Sequence, residues 1–295
     1  NKKEYVMSIY RYLVSGVLVL SALQVHANAS KAPHEIVAQA SESAWRTVNI
    51  ENVLKIQLAT GAVYVELNPF LAPMHVDNIK LLARERFYDG LNVYRFVEGF
   101  VAQGGDETSQ KQPLKAKRQL PAEFIHKSKT PLSITALNMT DGYAERTGFL
   151  NSFAVAQNAS GTHTWQTHCT GAFAMAREDA PNSGGTEFYI ALTPQRYLDQ
   201  NTTVFGQVLQ GMEHIQRLDR TAQSGKVFNP ITSVEVLADV SKEDKLRFKV
   251  FDTNTKDFKA LIEARKNRPE AWFVAKPNYA DVCAIKVPVR SFTGD

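Results

Sequence analysis

The amino-acid sequence predicts a mainly β fold, a closed and mostly antiparallel barrel with two helices. The first observation is a series of short apolar runs of β type, separated by turn signals, over residues 53–238. The second is that only two segments in this range carry apolar residues at helical spacing. Because strands do not alternate regularly with helices, the pattern argues against a doubly wound parallel sheet.

Composition and charge limit the class of protein. The chain has 295 residues, of which 44% are apolar and 22% are charged. These proportions are typical of a globular chain with a buried core and exclude a wholly disordered chain, a coiled coil and a polytopic membrane protein. The net charge of +4 gives no electrostatic reason to expect a nucleic-acid partner.

The N-terminal segment is typical of a secretory signal peptide. Arg11 precedes an almost uncharged apolar run over residues 13–25, and Ala27-Asn28-Ala29 follows with the small-x-small pattern of a cleavage site. The run is too short to span a bilayer comfortably, so we expect no stable membrane insertion after residues 1–29 are removed. A short buried or anchoring helix is the alternative. The expected location is the periplasm or the outside of the cell.

The first ordered element is expected near Trp45. Residues 30–44 are polar and rich in Ala and Ser, which predicts a flexible lead-in. Two alternating segments, 53–58 and 62–67, flank a turn signal at Thr60-Gly61. This pattern predicts a β-hairpin.

The two helical patterns lie on either side of most of the remaining strands. Val76, Ile79 and Leu82 recur at helical spacing and predict a helix from about residue 73 that ends near Asp89-Gly90. The second pattern consists of Met212, Ile215 and Leu218. The β-type runs are 92–97, 100–106, 171–176, 187–192, 203–208 and 233–238.

Two further segments accompany the predicted barrel. Residues 107–170 form a long polar insert with a basic patch of Lys111, Lys115, Lys117 and Arg118. We interpret this patch as a solvated loop, and a ligand site is the alternative. Residues 241–295 change character, with a half-apolar run, a charged helix near 256–267 and later aromatic residues such as Trp272. This composition predicts a C-terminal extension that packs back on the barrel.

The two cysteines, Cys169 and Cys283, cannot form a disulfide scaffold or a four-cysteine zinc site. Because an exported chain meets an oxidising compartment, they could pair with each other, and two separate thiols are the alternative. His163, His168 and Cys169 form one dense cluster of metal-ligand type. Since no second cluster follows at a recognisable spacing, we expect no metal site.

Three sequence blocks occur in a fixed order: residues 94–106 (YRFVEGFVAQGGD), residues 174–190, and residues 204–213. Together they resemble the signatures of cyclophilin-type peptidyl-prolyl cis-trans isomerases, over about residues 50–240. The resemblance implies an eight-stranded barrel closed by two helices, with a hydrophobic surface groove. It implies an isomerase domain over residues 45–240.

The implied reaction makes and breaks no bond, and it needs no nucleophile, metal or cofactor. The barrier is the amide resonance of the X-Pro bond, about 18–20 kcal/mol. A catalyst therefore needs a pocket for the proline ring, a clamp on the flanking backbone and a fixed positive donor for the twisted amide. A guanidinium suits the last role because it is planar, always charged and rich in donors.

The resemblance also implies the residues of the site. Arg95 matches the family's catalytic arginine, and Gln103 matches the glutamine that holds the arginine and contacts substrate. For the apolar wall positions, plain core packing is the alternative. The positions matched to substrate binding are Phe100, Val101, Ala176, Arg177, Glu187, Phe188, Tyr197, Leu198 and Thr202.

Five positions depart from the family pattern. Tyr94 stands where His is common, and Tyr197 stands near the usual Trp. Thr202 replaces a pocket His, and Arg177 replaces an Asn, so only its main chain carries over. Glu187 replaces a Gln and either pairs with Arg95 or competes with substrate.

Two functions therefore remain open. The first is a monomeric prolyl isomerase that acts on proline-containing unfolded or partly folded exported proteins. The second is a non-catalytic or weakly catalytic module that binds proline peptides as a chaperone. The retained pair of Arg95 and Gln103 favours the enzyme, because a pure binder needs no donor directed at the proline amide.

Overall fold

The computed structural model of the chain describes residues 30–241 and 245–293. The predicted leader, residues 1–29, lies outside the described residues. None of the helices in the described ranges is long and apolar enough to cross a membrane.

The described residues form four α-helices and sixteen strands. The helices are α1 (Pro33–Gln39), α2 (Pro73–Arg84), α3 (Met212–Gln216) and α4 (Lys256–Lys266). The strands are β1 (Trp45–Thr47), β2 (Val53–Leu58), β3 (Gly61–Leu67), β4 (Asn92–Val97), β5 (Val101–Gly105), β6 (His126–Lys127), β7 (Thr135–Ala136), β8 (Arg146–Leu150), β9 (Phe153–Gln157), β10 (His163–Gln166), β11 (Ala172–Met175), β12 (Phe188–Ala191), β13 (Val204–Gln210), β14 (Ile231–Val236), β15 (Leu246–Phe251) and β16 (Val289–Thr293).

Eight antiparallel strands form the main sheet, in the order β14-β2-β3-β13-β11-β12-β5-β4. Its two edges meet, since Ile231 N donates to Leu91 O at 2.8 Å and Val93 N donates to Asn229 O at 2.9 Å. These bonds bring the sheet close to a closed barrel. The mainly β, eight-stranded barrel expected from the sequence is thus confirmed.

The predicted hairpin and first helix are both present. β2 and β3 pair residue for residue from Val53 opposite Glu66 to Leu58 opposite Gly61. A Cβ at Gly61 would lie 2.3 Å from the His214 ring, and its φ is +136°, so glycine is required at this turn. The apolar stripe of α2 is fully buried in the barrel core.

α2 ends at Arg84, earlier than the predicted end near Asp89-Gly90. Arg86 takes a left-handed conformation, with φ of 55°. Arg86 N donates to Ala83 O and Phe87 N donates to Leu82 O, both at 3.0 Å. These two bonds form a Schellman motif, which satisfies the last helical carbonyls and ends the helix.

The lead-in at residues 30–44 was predicted to be flexible, and that prediction is wrong. Residues 33–39 form α1, with Pro33 at its first turn, and Glu42–Ala44 form a 3₁₀ turn. Ile36 and Ala44 are buried in an apolar cluster with Phe258 of α4. Pro33 and Ile36 of α1 and Ala44 of the 3₁₀ turn are buried, and they anchor a segment whose composition is otherwise polar.

The polar insert at residues 107–170 is not all loop, because residues 126–166 contain a five-stranded sheet in the order β6-β10-β9-β8-β7. Its polar residues are buried with partners. Gln157 Nε2 donates to Leu132 O and to Thr164 Oγ1, both at 3.0 Å. Gln166 Nε2 donates to Gly206 O of the barrel at 2.8 Å. A buried polar side chain with bonded partners is compatible with a core, so polar composition was misleading here.

The C-terminal extension packs on the barrel and also on the insert and the lead-in. β15 lies between β1 and β16 in a three-stranded sheet. Phe248 and Val250 are buried with Val53 and Tyr64 of the barrel. Phe258 of α4 contacts Phe149 of the insert, with ring centroids 4.9 Å apart. Trp272, expected to pack inward, is 83% exposed.

Two cross-links join these layers. Cys169, at the end of the insert, forms a disulfide with Cys283 of the extension. Arg46 of β1 makes a two-pronged ion pair with Glu66 of β3, with N–O distances of 2.7 and 2.9 Å, and also donates to Ser152 Oγ at 2.9 Å. Burial raises the pKa of Glu66, and the bonds and charge of Arg46 oppose that rise.

Removal of the disulfide should destabilise the protein without changing the fold. The bond spans 114 residues of sequence, so a Cys169→Ala, Cys283→Ala double variant should lose about 2–5 kcal/mol of unfolding free energy. Urea unfolding of the oxidised wild type and the variant measures the difference. Wild type in reductant is the control and should approach the variant. Equal stability of all three samples would contradict the cross-link.

Candidate active site

The candidate site lies where β12, β5 and β4 run side by side on the barrel. Gln103 of β5 is opposite Arg95 of β4 on one side and opposite Tyr189 of β12 on the other. The β4–β5 ladder shifts register between Asn92 and Arg95. An irregularity of this kind re-aims side chains, and the consecutive side chains of Tyr94 and Arg95 both reach Gln103.

A chain of hydrogen bonds fixes Arg95. Its Nη1 donates to Gln103 Oε1 at 3.2 Å. Gln103 Nε2 in turn donates to the Tyr94 hydroxyl at 2.5 Å and to Glu187 Oε2 at 3.5 Å. The Tyr94 hydroxyl donates to the same carboxylate. Because the side-chain amide nitrogen of Gln103 faces the Tyr94 hydroxyl and the Glu187 carboxylate, its carbonyl oxygen faces Arg95.

Glu187 was expected either to pair with Arg95 or to compete with substrate. Glu187 reaches Arg95 through Gln103, as part of the same hydrogen-bond chain. Burial raises the pKa of the Glu187 carboxyl, bonds from Tyr94 and Gln103 oppose the rise, and the charges of Glu178 and Asp106 add to it. Burial also raises the pKa of Tyr94, and its bond to Glu187 raises it further. Tyr94 is therefore a hydrogen-bond donor at neutral pH.

An apolar cluster lies beside the arginine. The guanidinium of Arg95 lies over the Phe100 ring, with Cζ 5.5 Å from the centroid. Phe100 and Leu198 are partly buried against a cluster that includes Val101 and Tyr189. Tyr197 is exposed, and its ring is nearly parallel to that of Phe100 at 6.4 Å. The guanidinium of Arg95 is therefore adjacent to the apolar surface that begins at Phe100.

Phe188, predicted to form part of the pocket wall, is instead inside the barrel. Its ring packs against Phe173 at 5.0 Å and Tyr88 at 5.5 Å. Successive side chains of a strand point to opposite faces. Glu187 is at the site, so the residue two positions later, Tyr189, shares its side of β12. This alternation was visible in the sequence and could have identified Tyr189.

The remaining predicted residues lie around the same face. Ala176 N donates to Glu187 O at 2.8 Å. The Arg177 side chain donates to Asn201 O at 2.9 Å and ties two loops together. Thr202 lies behind the apolar cluster, where its Oγ1 is 2.9 Å from His168 Nε2. A groove of about 420 Å³ borders the site, lined in part by Tyr94, Arg95, Gln103, Ala176, Arg177 and Glu187.

The cysteine and histidines considered as metal ligands have other roles. Cys169 is in the disulfide, and His168 is bonded to Asp199. In the part of the chain that the structure describes, no three His, Cys, Asp or Glu side chains are grouped so that they could hold a metal ion.

Comparison with known proteins identifies the family. The family model for cyclophilin type peptidyl-prolyl cis-trans isomerase/CLD matches residues 53–237. The chain belongs to this family. It is a cyclophilin-type peptidyl-prolyl cis-trans isomerase.

Individual relatives agree with this assignment. A probable peptidyl-prolyl cis-trans isomerase of Brucella suis is 31% identical over 183 residues, which are 61% of this chain and 79% of the relative. Peptidyl-prolyl cis-trans isomerase ppi1 of Schizosaccharomyces pombe is 27% identical over 188 residues, 63% of this chain and 97% of the relative. The crystal structure of the cyclophilin AquaCyp293 from Hirschia baltica matches with a TM-score of 0.69 at 26% identity, covering 85% of this chain and 94% of that one.

Glu187→Gln should change how stability depends on pH. Because the folded-state pKa of Glu187 is raised, its contribution to stability is full below the unfolded pKa and is lost as pH rises through the folded pKa. The variant has no ionisable carboxyl at this position, so it does not lose this unfolding free energy as pH rises. Its unfolding free energy relative to wild type should therefore increase between pH 4 and pH 7 in urea titrations.

The matched control for this experiment is Glu145→Gln, which removes a carboxylate at an exposed position. It corrects for the general loss of one negative charge. A Glu187→Gln curve that runs parallel to the control curve across this range would contradict the buried, destabilised carboxylate.

Proposed function

We propose that this cyclophilin-type isomerase accelerates X-Pro isomerisation with Arg95 as the donor that stabilises the twisted amide. The observation that supports the role is the position of Arg95 between a fixed partner, Gln103, and an apolar surface that begins at Phe100. A substrate proline on that surface brings its amide within reach of a preoriented charge.

The chemistry follows from the loss of amide resonance during rotation. In the twisted state the proline nitrogen regains its lone pair, and the carbonyl rotates away from it. Gln103 accepts from one of the five N–H groups of the guanidinium. The others can bond the nitrogen lone pair or the rotating oxygen. Such a donor lowers the barrier because it binds the twisted state more strongly than either planar isomer.

The proline ring contacts Phe100, Leu198 and Tyr189 in this proposal. These three residues belong to the apolar cluster next to Arg95. Tyr197, exposed and stacked on Phe100, covers one side of the bound ring. The residues before proline extend along the polar groove past Ala176 and Glu187.

We further propose that the protein acts in the periplasm or outside the cell, on unfolded or partly folded exported proteins. The N-terminal sequence, residues 1–29, has the order of a signal peptide. The disulfide between Cys169 and Cys283 is a second support, because disulfides persist in oxidising compartments and are rare in the cytosol.

Arg95→Ala should lower kcat by about 10²–10³, the usual effect of removing a preorganised transition-state donor. Peptide binding should change much less, because the apolar surface remains. Exchange spectroscopy by NMR on a short Ala-Pro-Phe peptide measures cis-trans rates without a coupled protease.

The control for this experiment is Arg217→Ala, which removes an exposed arginine after α3 and should leave the rate unchanged. Peptide binding without accelerated exchange in any of the three proteins would instead indicate a chaperone-like module that binds proline segments.

A further inference from the structure

His168 is fully buried and bonded through both ring nitrogens. Its Nδ1 is 2.9 Å from Asp199 Oδ1, and its backbone N also donates to that oxygen at 2.9 Å. Its Nε2 is 2.9 Å from the hydroxyls of both Tyr189 and Thr202. The imidazole therefore connects a buried carboxylate to two residues at the back of the apolar cluster.

The carboxylate sets the orientation of the ring. Asp199 accepts from Nδ1–H, so in the neutral imidazole Nε2 has one lone pair, which accepts from the Tyr189 or the Thr202 hydroxyl. These two hydroxyls are also hydrogen-bonded to each other. Burial alone would raise the pKa of Asp199, but bonds from His168 and the charge of Arg196 hold it below its ordinary value. The group that orients the ring is thus a stable anion.

A second anchor comes from the insert. Arg196 Nε donates to Asp199 Oδ2 at 2.6 Å. Its Nη1 and Nη2 donate to the two carboxylate oxygens of Asp141, at 2.9 and 3.1 Å. Asp141 lies between β7 and β8 of the insert sheet, and its side chain and that of Arg196 are almost completely buried. The Tyr143 ring packs on the same guanidinium at 5.2 Å.

These contacts surround the residues that border the pocket. Tyr197 and Leu198 lie between Arg196 and Asp199 in the chain, in a 3₁₀ turn. Arg196, which is paired with Asp141, precedes these two residues, and Asp199, whose carboxylate is bonded to His168, follows them. Thr202 and Tyr189 are held from behind by His168. His168, Arg196 and Asp141 therefore hold Leu198 and Tyr189 in position from the side away from the groove.

We propose that His168, Arg196 and Asp141 are positioning residues for isomerisation, which hold Leu198 and Tyr189 as a fixed wall for the proline ring. The inference rests on the proposed function of that wall. These three residues act through Leu198 and Tyr189 and do not touch the substrate. The insert thereby takes part in substrate binding, through Asp141.

The wall contacts the proline ring, and the ring does not move relative to it while the preceding amide rotates. Loss of the wall's position therefore weakens binding of the planar and twisted states alike, which raises KM and leaves kcat unchanged. Loss of Arg95 has the opposite pattern. A merely destabilised protein loses active molecules, which lowers the apparent kcat at constant KM.

The experiment compares His168→Phe, His168→Gln and Asp141→Asn in the full chain. The wild-type His168 ring lies almost parallel to that of Tyr189. His168→Phe keeps a ring at this position but removes the hydrogen bonds of both ring nitrogens. His168→Gln keeps a polar group that can reach the two hydroxyls. We expect KM for an Ala-Pro-Phe peptide to rise about tenfold in His168→Phe, with partial rescue in His168→Gln and an intermediate rise in Asp141→Asn.

The control is Arg46→Gln, which breaks the partly buried ion pair with Glu66. The bonds of Arg46 go to Glu66 and Ser152 and not to the groups around His168, so KM should remain unchanged. Urea unfolding shows whether each variant is folded, and His168→Gln and Asp141→Asn decide the question if His168→Phe does not fold. An unchanged KM in folded variants, or a fall in kcat at constant KM, overturns the proposal.

Peptide dissociation constants from chemical-shift titration provide a readout that does not need turnover. If wild type binds the peptide without accelerating exchange, the proposed catalytic role of Arg95 fails. A dissociation constant that is about tenfold larger in His168→Phe would still support the positioning role, and an unchanged constant would contradict it.

Discussion

The position of β5 between β4 and β12 is the constraint on which the site depends. Gln103 lies opposite Arg95 on one neighbour and Tyr189 on the other, so one residue is common to the polar and the apolar parts of the site. Its neighbour Ala102 faces the barrel core together with Phe188. Since a shift of one residue would exchange these two faces, the packing of the core also fixes which side chains meet the substrate.

The barrel is supported by elements outside its eight strands. The lead-in, the insert and the extension share a second apolar core around Phe149, Phe251 and Phe258. The disulfide joins the insert to the extension within this layer, and the Arg46–Glu66 pair connects the layer to the barrel. The match to AquaCyp293 covers 85% of the chain, whereas the Brucella suis relative covers 61%. Part of this additional layer therefore has a counterpart in that cyclophilin.

The sequence predicts what depends on local pattern. Alternation and helical spacing located the barrel strands and α2, and the motif around Arg95 located the Arg95–Gln103 pair. The sheet of the insert was missed because buried polar residues such as Gln166 find their partners, here Gly206 and Asn68, far along the chain. Phe188 was chosen over Tyr189 because adjacent aromatic residues differ only in the face of the strand. His168 was noticed as a metal-type ligand, and its bonds to Asp199, Tyr189 and Thr202 required three distant segments to meet.

The central claim is that the apolar cluster beside Arg95 takes the proline ring. Intermolecular nuclear Overhauser effects between the carbon-13-labelled protein and an unlabelled Ala-Pro-Phe peptide test it most directly. We expect contacts from the proline ring protons to Phe100, Leu198 and Tyr189, with the preceding alanine near Gln103. Proline contacts confined to the polar groove near Gln119 and Ser183, with none to these three residues, would contradict it.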